Sequence, residues 1–389
     1  MWADIAIDIC PVPHYNSNVF MPVCPPVSFG PGGFFIGVDM EEKTYKTYRQ
    51  LLTKLRSRGM IIGKGSQGSR VMRILEQENY YNVINGYKDL FLQSLATPTS
   101  DEKYKTGTTF DEVYALYQFD REIRNIHIKY LLKIENAFKT VISHEFSKKY
   151  GHDNYLKLEN FQSGPSTDPQ ELNKIARTNH LQLPKDLTIV QRLSAENNAG
   201  NVIKLIGDIQ QEIARQMSKH HQVVTHYMTQ HGYIPLWVLV NVLTFGKITL
   251  FYFNMKPADR APIAKYFGVP EKELHKYMNL LSIARNKCAH DERFFDIRFR
   301  TNLHTKSIRN FSVLNLPRDA SGTYTKGIND AYAVAIMFSQ LLSKADLREF
   351  VSAMNTQFKK LAKSLNVISI EDVMDVMGYT KDWQNILQL

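Results

Sequence analysis

The chain has 389 residues, 43% of them apolar and 22% charged, the balance of a globular protein and too apolar for global disorder. Three cysteines, Cys10, Cys24 and Cys288, are too few and too scattered for a disulfide framework or a zinc site, which suits a reducing cytoplasm. The longest apolar stretch, Tyr233 to Gly246, falls short of the roughly 20 residues a bilayer requires, so secreted and membrane-spanning classes are set aside.

Residues 1–40 hold three Asp, no Lys or Arg, and six of the fifteen prolines. That proline density forbids helix, no alternation supports strand, and a signal peptide's basic and apolar regions are absent. The expectation is a disordered tail, or translation assigned too early, because Met40 opens a clean helical pattern. Beyond it stand 48 basic and 35 acidic residues, so the body carries +13.

The first helix is expected over Glu42–Arg58, with Tyr48, Leu51, Leu52 and Leu55 at helical spacing and Gly59 as the stop. Its other face carries Lys43, Lys46, Arg49, Lys54, Arg56 and Arg58, either a solvated surface or a set of phosphate contacts. Gly63-Lys64-Gly65-Ser66 lacks the spacing and preceding strand of a phosphate-binding loop and reads as a turn. A second helix follows over about Ser69–Gln77. The adjacent Tyr80 and Tyr81 read as core anchors rather than base-stacking rings.

A polar linker, Thr97–Thr108, precedes Thr109-Phe110-Asp111-Glu112, which has the form of a capping box. It starts the longest periodic run, through Val113, Leu116, Ile123, Tyr130, Ile134, Phe138 and Val141 to Gly151. Residues 162–200 read as polar and irregular. Helix is expected again from Asn201 to about Gln230, then in a buried Trp237–Phe245 segment opened by Pro235, and over Glu271–Cys288 behind Pro270. The core face of that last helix is Leu274, Tyr277 with Met278, Leu281 and Cys288. Helices over Ile328–Ser343, Leu347–Ser364 and Ser369–Met377 complete an all-α reading with no strand ladder or internal repeat.

Chemistry is sought at Arg285-Asn286-Lys287-Cys288-Ala289-His290. Asn286 and His290 lie about 40° apart on one helix face, and the long Arg285 side chain can swing toward them. Such a cluster suits RNA cleavage without metal: a guanidinium grips phosphate, an imidazole moves a proton near neutral pH, and an amide orients either. The following Arg293-Phe294-Phe295-Asp296-Ile297-Arg298-Phe299-Arg300 interleaves cations and aromatics, a composition for stacking and phosphate contact that Lys306 and Arg309 extend. Arg121…His127 also spaces an arginine and a histidine, but His127 reads as a helix-surface residue. His220, His221, His226 and His231 do not stack on one helical face, so no metal site is read from them.

Four blocks carry a family resemblance: Tyr48 to Ile62 continuing to Gly86-Tyr87; Leu116 to Arg124 with Ile134-Glu135; Ile234 to Val240 with Thr244-Phe245-Gly246; and Arg285-Asn286…Ala289-His290…Arg293, with Met377-Gly378-Tyr379…Trp383 near the end. On these the chain resembles the Abi (abortive infection) family of bacterial phage-resistance proteins, of the AbiD/AbiF type, within the HEPN superfamily. The family pattern has an acidic residue after the buried Trp segment, where this chain has Asn241.

The resemblance implies a HEPN-like helical bundle with N-terminal and C-terminal helical extensions. With the proline-rich stretch and the polar linker as boundaries, the expected organisation is a tail (1–40), a helical subdomain (41–105), a core (106–310) and a C-terminal segment (311–389). It makes Arg285 and His290 the catalytic pair of an R-x4-H motif, with Asn286 their polar neighbour. The implied reaction is metal-independent and cofactor-free: 2′-hydroxyl attack on the adjacent phosphate. Arg293, Arg298, Arg300, Arg121, Arg124 and Arg58 are the expected RNA contacts. The implied partners are RNA (a tRNA or a noncoding RNA), a second copy in a homodimer, and an antitoxin. The rival expectation is a module that captures a structured or small noncoding RNA without cutting it.

Overall fold

The computed structural model describes residues 45–97 and 100–389, so the expectations for residues 1–40 and for a helix start at Glu42 lie outside the described residues. Helix α1 (Tyr48–Ser57) is capped by Thr47, whose hydroxyl and Gln50 form a reciprocal capping box. Helix α2 (Ser66–Gln77) follows the glycine turn and packs on α1 through Leu52, Leu55, Val71 and Leu75. A single π turn (Tyr81–Asn85) and a two-stranded antiparallel ribbon, β1 (Leu92–Ser94) with β2 (Lys103–Tyr104), lead onward. Tyr80 is half-buried, but Tyr81 faces solvent, so the tyrosine pair does not anchor the core as expected; Tyr87 and Tyr104 do.

Helix α3 (Phe110–Tyr150) runs as its periodicity and caps predict. Thr109 and Glu112 form the expected capping box, and Gly151, at φ +85°, stops it in a conformation that favours glycine. The two ends are thus written locally, each worth on the order of 1 kcal/mol. The Glu112 carboxylate also accepts the amides of Asn366 and Val367, at 2.6 and 2.8 Å, which ties the start of α3 to a loop late in the chain.

Residues 162–200 are not irregular. Asp168 caps α4 (Pro169–Thr178), with proline in the first turn where its missing N–H is harmless, and α5 (Leu187–Ser218) starts well before Asn201. Their few apolar residues, Leu172, Ile175, Ala176 and Val190, pack against one another as a small separate cluster, a long-range pairing with no local signature. The expected Asn201–Gln230 helix breaks at Lys219–His221, where His220 adopts φ +53° and the His221 ring caps α6 (Gln222–His231).

The Trp237–Phe245 segment is also different. After Pro235 comes only the single turn α7 (Leu236–Leu239), and Thr244 caps a new helix, α8 (Phe245–Asn254). Leu236, Leu239, Leu243 and Phe245 are buried, whereas Trp237 is 51% exposed. Proline opens α9 (Pro257–Phe267) as well, and α10 (Glu271–Ala289) follows Pro270 as expected. Leu274, Tyr277, Met278 and Leu281 on α10 are buried, a face worth roughly 1.5–3 kcal/mol per side chain.

The remaining helices are α11 (Ala331–Leu341), α12 (Lys344–Ala362) and α13 (Ile370–Val376), near their expected bounds. The fold is all-α. Helix α3 is its axis: α7, α9 and α10 pack along it, and α12 covers a further face, with Phe350 against Tyr130 and Phe358 against Phe119. Among the described residues, no helix is long and apolar enough to cross a membrane.

Candidate functional site

The Arg285–His290 motif occupies the last turn of α10. Inward-facing Leu281 and Ala284 lock this turn to the core, so its outer face is presented on a rigid support. Asn286 and His290 are exposed, and neither side chain has an intramolecular hydrogen bond among the described residues. His290 ends the helix, its amide donating to the Asn286 carbonyl at 3.0 Å.

Arg285 is held differently. Its side chain is 30% exposed, and Nε donates to Oε2 of Glu135 on α3 at 3.2 Å. Glu135 is buried, only 4% exposed in its side chain, and its Oε1 also faces Lys139 Nζ at 2.8 Å. One carboxylate therefore fixes two cations, and the arginine keeps its Nη groups free of any other carboxylate among the described residues. Glu135 stands in the second family block, but nothing local in the sequence announces its partner on another helix.

Immediately after His290, Asp291 turns the chain at φ +57°, and a second α3 cluster catches the loop. Arg124 pairs with Asp291 at 2.6 Å and donates to the Glu292 carbonyl at 2.9 Å. Asp120, fully buried, accepts the amides of Phe294 at 3.2 Å and Phe295 at 2.6 Å and the Tyr87 hydroxyl at 2.6 Å. Burial pushes the Asp120 carboxyl up to about 6, with those donors and Arg124 holding it back from rising further. Asp120 and Arg124 are thus supports of the motif's loop that the sequence did not single out for this role.

The cation–aromatic run after the motif is not a stacking surface. Phe294, Phe295, Ile297 and Phe299 are buried: the chain turns at Phe295–Asp296, and only from Ile297 to Arg300 does burial alternate as in an extended segment. Arg293 donates to the Gly86 carbonyl and pairs with Asp296 at 2.8 Å, and Arg298 donates to the Val376 carbonyl at 2.7 Å. Arg300, Lys306 and Arg309 are exposed. Arg121 is at the surface beside Glu78, at 2.9 Å.

Two expected RNA contacts are spent inside the fold. Arg124 is 3% exposed and committed as described. Arg58 is nearly buried and shared between Asp101 and Glu102, the latter also held by Lys88 at 2.6 Å. Neither guanidinium is presented to a polynucleotide, because each is nearly buried and engaged within the fold.

His127 is a core residue and not a surface one. Its ring sits against Phe294, Phe338 and Phe350, its Nδ1 lies 2.7 Å from the Ile123 carbonyl, and Nε2 is buried without a partner. Burial lowers its pKa to about 4, so the imidazole is neutral. The Arg121…His127 spacing therefore brings no second cation–imidazole pair to the surface. In the histidine-rich stretch, His226 and His231 do meet, ring centres 5.9 Å apart at the end of α6, although their spacing argues against it. Among the described residues no group of three or more His, Cys, Asp or Glu is placed to hold a metal ion.

Residues 73–296 match the family model described as Abi-like protein. No curated protein and no solved structure matches the chain. The matched stretch takes in α3, α10, Glu135, Asp120 and the whole Arg285–His290 motif.

Proposed function

The chain belongs to the Abi-like family, which ties it to abortive infection by phage, and from that premise we propose that it is a metal-independent endoribonuclease of the HEPN type acting through Arg285 and His290. The observation that carries this reading is the placement, at one helix end, of an exposed imidazole and, five residues before it, a guanidinium steadied by a buried carboxylate. A steadied guanidinium offers a preorganised fork for a phosphate and offsets the charge that builds as the phosphate is attacked.

In this scheme His290 takes the proton from a ribose 2′-hydroxyl while that oxygen bonds to the adjacent phosphorus. The bond from phosphorus to the 5′-oxygen then breaks. A 2′,3′-cyclic phosphate and, once the leaving oxygen has gained a proton, a 5′-hydroxyl are left. Asn286, one turn before His290, orients the phosphate or the imidazole. One histidine is poorly suited to be base and acid in the same step, so the second proton carrier is the same motif of another copy in a homodimer, or a partner's. Arg121, Arg293, Arg298 and Arg300 track the RNA backbone on a body of net charge +13. The substrate is a tRNA or a noncoding RNA, and an antitoxin partner restrains the activity.

The test is incubation of purified protein with tRNA or total RNA in EDTA, beside the His290→Ala variant. The reading requires fragments with cyclic-phosphate ends from the wild type alone. Indistinguishable ladders refute cleavage through this site, and intact RNA co-purifying with both proteins replaces the nuclease by an RNA-capturing module.

A further inference from the structure

Two sequence features left unused by the nuclease reading meet in space. The basic face of α1 and the Gly63–Ser66 turn form facing walls of one open cleft of about 420 Å³, within the range of small-molecule sites. Arg49 and Arg56, seven residues apart, stand on the α1 wall, and Lys64 stands on the turn. Among the described residues, no carboxylate lines the cleft. Neither Arg49 nor Lys64 has a carboxylate partner among the described residues, in contrast to Arg58 on the same helix.

Arg56 is preorganised: Nε and Nη2 donate to the carbonyls of Ile62 and Gly63 at 3.0 and 2.9 Å, which fixes its plane and leaves Nη1 to a ligand. Gly68 lets the walls come this close. A Cβ there would meet the Gly63 carbonyl oxygen at 3.2 Å and the Arg56 guanidinium at 3.3 Å. Met72, with the nearly buried Leu52 beneath, supplies the apolar part of the lining. Three cations beside that apolar lining match a molecule with a phosphate at one end and a flat ring at the other.

We propose that the α1–α2 cleft binds a 5′-phosphorylated nucleotide, the phosphate between Arg49, Arg56 and Lys64 and the base over Leu52 and Met72. The nucleotide is supplied free or as the 5′ end of an RNA strand; the strand form rests on the RNA reading above, and the free form does not.

The experiment uses the full chain carrying His290→Ala, so that cleavage does not consume the probe. ATP and a short 5′-phosphorylated RNA are each titrated by calorimetry at one fixed salt concentration. The double variant Arg49→Glu/Lys64→Glu, exposed at both positions, is compared with a double variant of equal charge change on α12, Lys344→Glu/Arg348→Glu. A loss of about tenfold or more at the cleft variant alone is the expected result, on the order of two lost charge-assisted contacts. Loss for ATP supports free nucleotide, and loss for the phosphorylated RNA alone supports the strand end. Failure of the parent to bind either probe, unchanged binding in the cleft variant, or equal loss in the α12 variant overturns the proposal. The ladder of cyclic-phosphate fragments from wild-type protein is read separately, so failure here and failure of the nuclease reading are distinguishable.

Discussion

The Nε of Arg285 stands 3.2 Å from Oε2 of Glu135, a carboxylate 150 residues earlier on another helix. The same carboxylate faces Lys139 at 2.8 Å, so the motif's guanidinium is one arm of a nearly buried triad. Removing the acid leaves Lys139 buried with an uncompensated charge and lets Arg285 swing.

Glu135→Ala is therefore expected to lose on the order of 3 kcal/mol of unfolding free energy. RNA cleavage should fall by about a hundredfold through misplacement of Arg285. Glu135→Gln, which keeps an acceptor, should recover most of the stability and only part of the activity. Urea unfolding beside a cleavage time course checks both. Equal activity in all three proteins would show that the carboxylate does not position the arginine.

Asp120 should behave as a keystone of the loop after His290. Asp120→Ala strips acceptors from the amides of Phe294 and Phe295 and from the Tyr87 hydroxyl, and is expected to cost about 3–5 kcal/mol. Its titration gives a second reading. The folded carboxyl is raised from 3.8 to about 6, so its favourable contribution is present below pH 3.8 and is lost as pH rises through 6. Against Asp120→Asn, the wild type should lose relative stability across that window, measured by denaturant midpoints at each pH.

His127 has the opposite sign. Its pKa is lowered from 6.5 to about 4, so its contribution is present above pH 6.5 and is lost as pH falls through 4. His127→Phe removes an unpartnered Nε2 from an aromatic nest and should make the protein less acid-sensitive. Relative to the wild type, the variant should gain roughly 3 kcal/mol between pH 6.5 and 4. Parallel stability curves would place a proton on the buried ring.

Gly378→Ala should destabilise severely. The residue sits at φ +81°, and an added Cβ would fall onto the Asp330 carboxylate. That carboxylate caps α11 and accepts the amides of Gly327 and Ala333 at 2.8 and 3.0 Å. A loss of about 3 kcal/mol or more is expected, seen as a large drop in melting temperature.

What could be read in advance was what the chain writes locally. Helix α3 was legible because Thr109, Glu112 and Gly151 mark its ends and its apolar stripe is continuous. The all-α class and the helix bearing Arg285 and His290 followed from the same kind of signal. Helices α4 and the start of α5 were hidden because their small apolar cluster forms only between them. His127 was misplaced for a related reason: which face of α3 is inside depends on α11 and α12, which arrive much later in the sequence. Phe294 and Phe295 in turn pack on His127 and Tyr87, far earlier in the chain. Glu135 and Asp120 carry no motif, and their roles exist only across a helix contact.

The covering of α3 by α12 bears on how the molecule is made. Lys129 meets Glu349 at 2.6 Å, 220 residues further along, and around that contact His127 and Tyr130 lie beneath Phe350. While a ribosome is still translating the intervening stretch, this face of the central helix has no lid and stays open to water or a chaperone. The helix that carries Glu135, Asp120 and Arg124 is thus fully enclosed only when synthesis has run well past the motif itself.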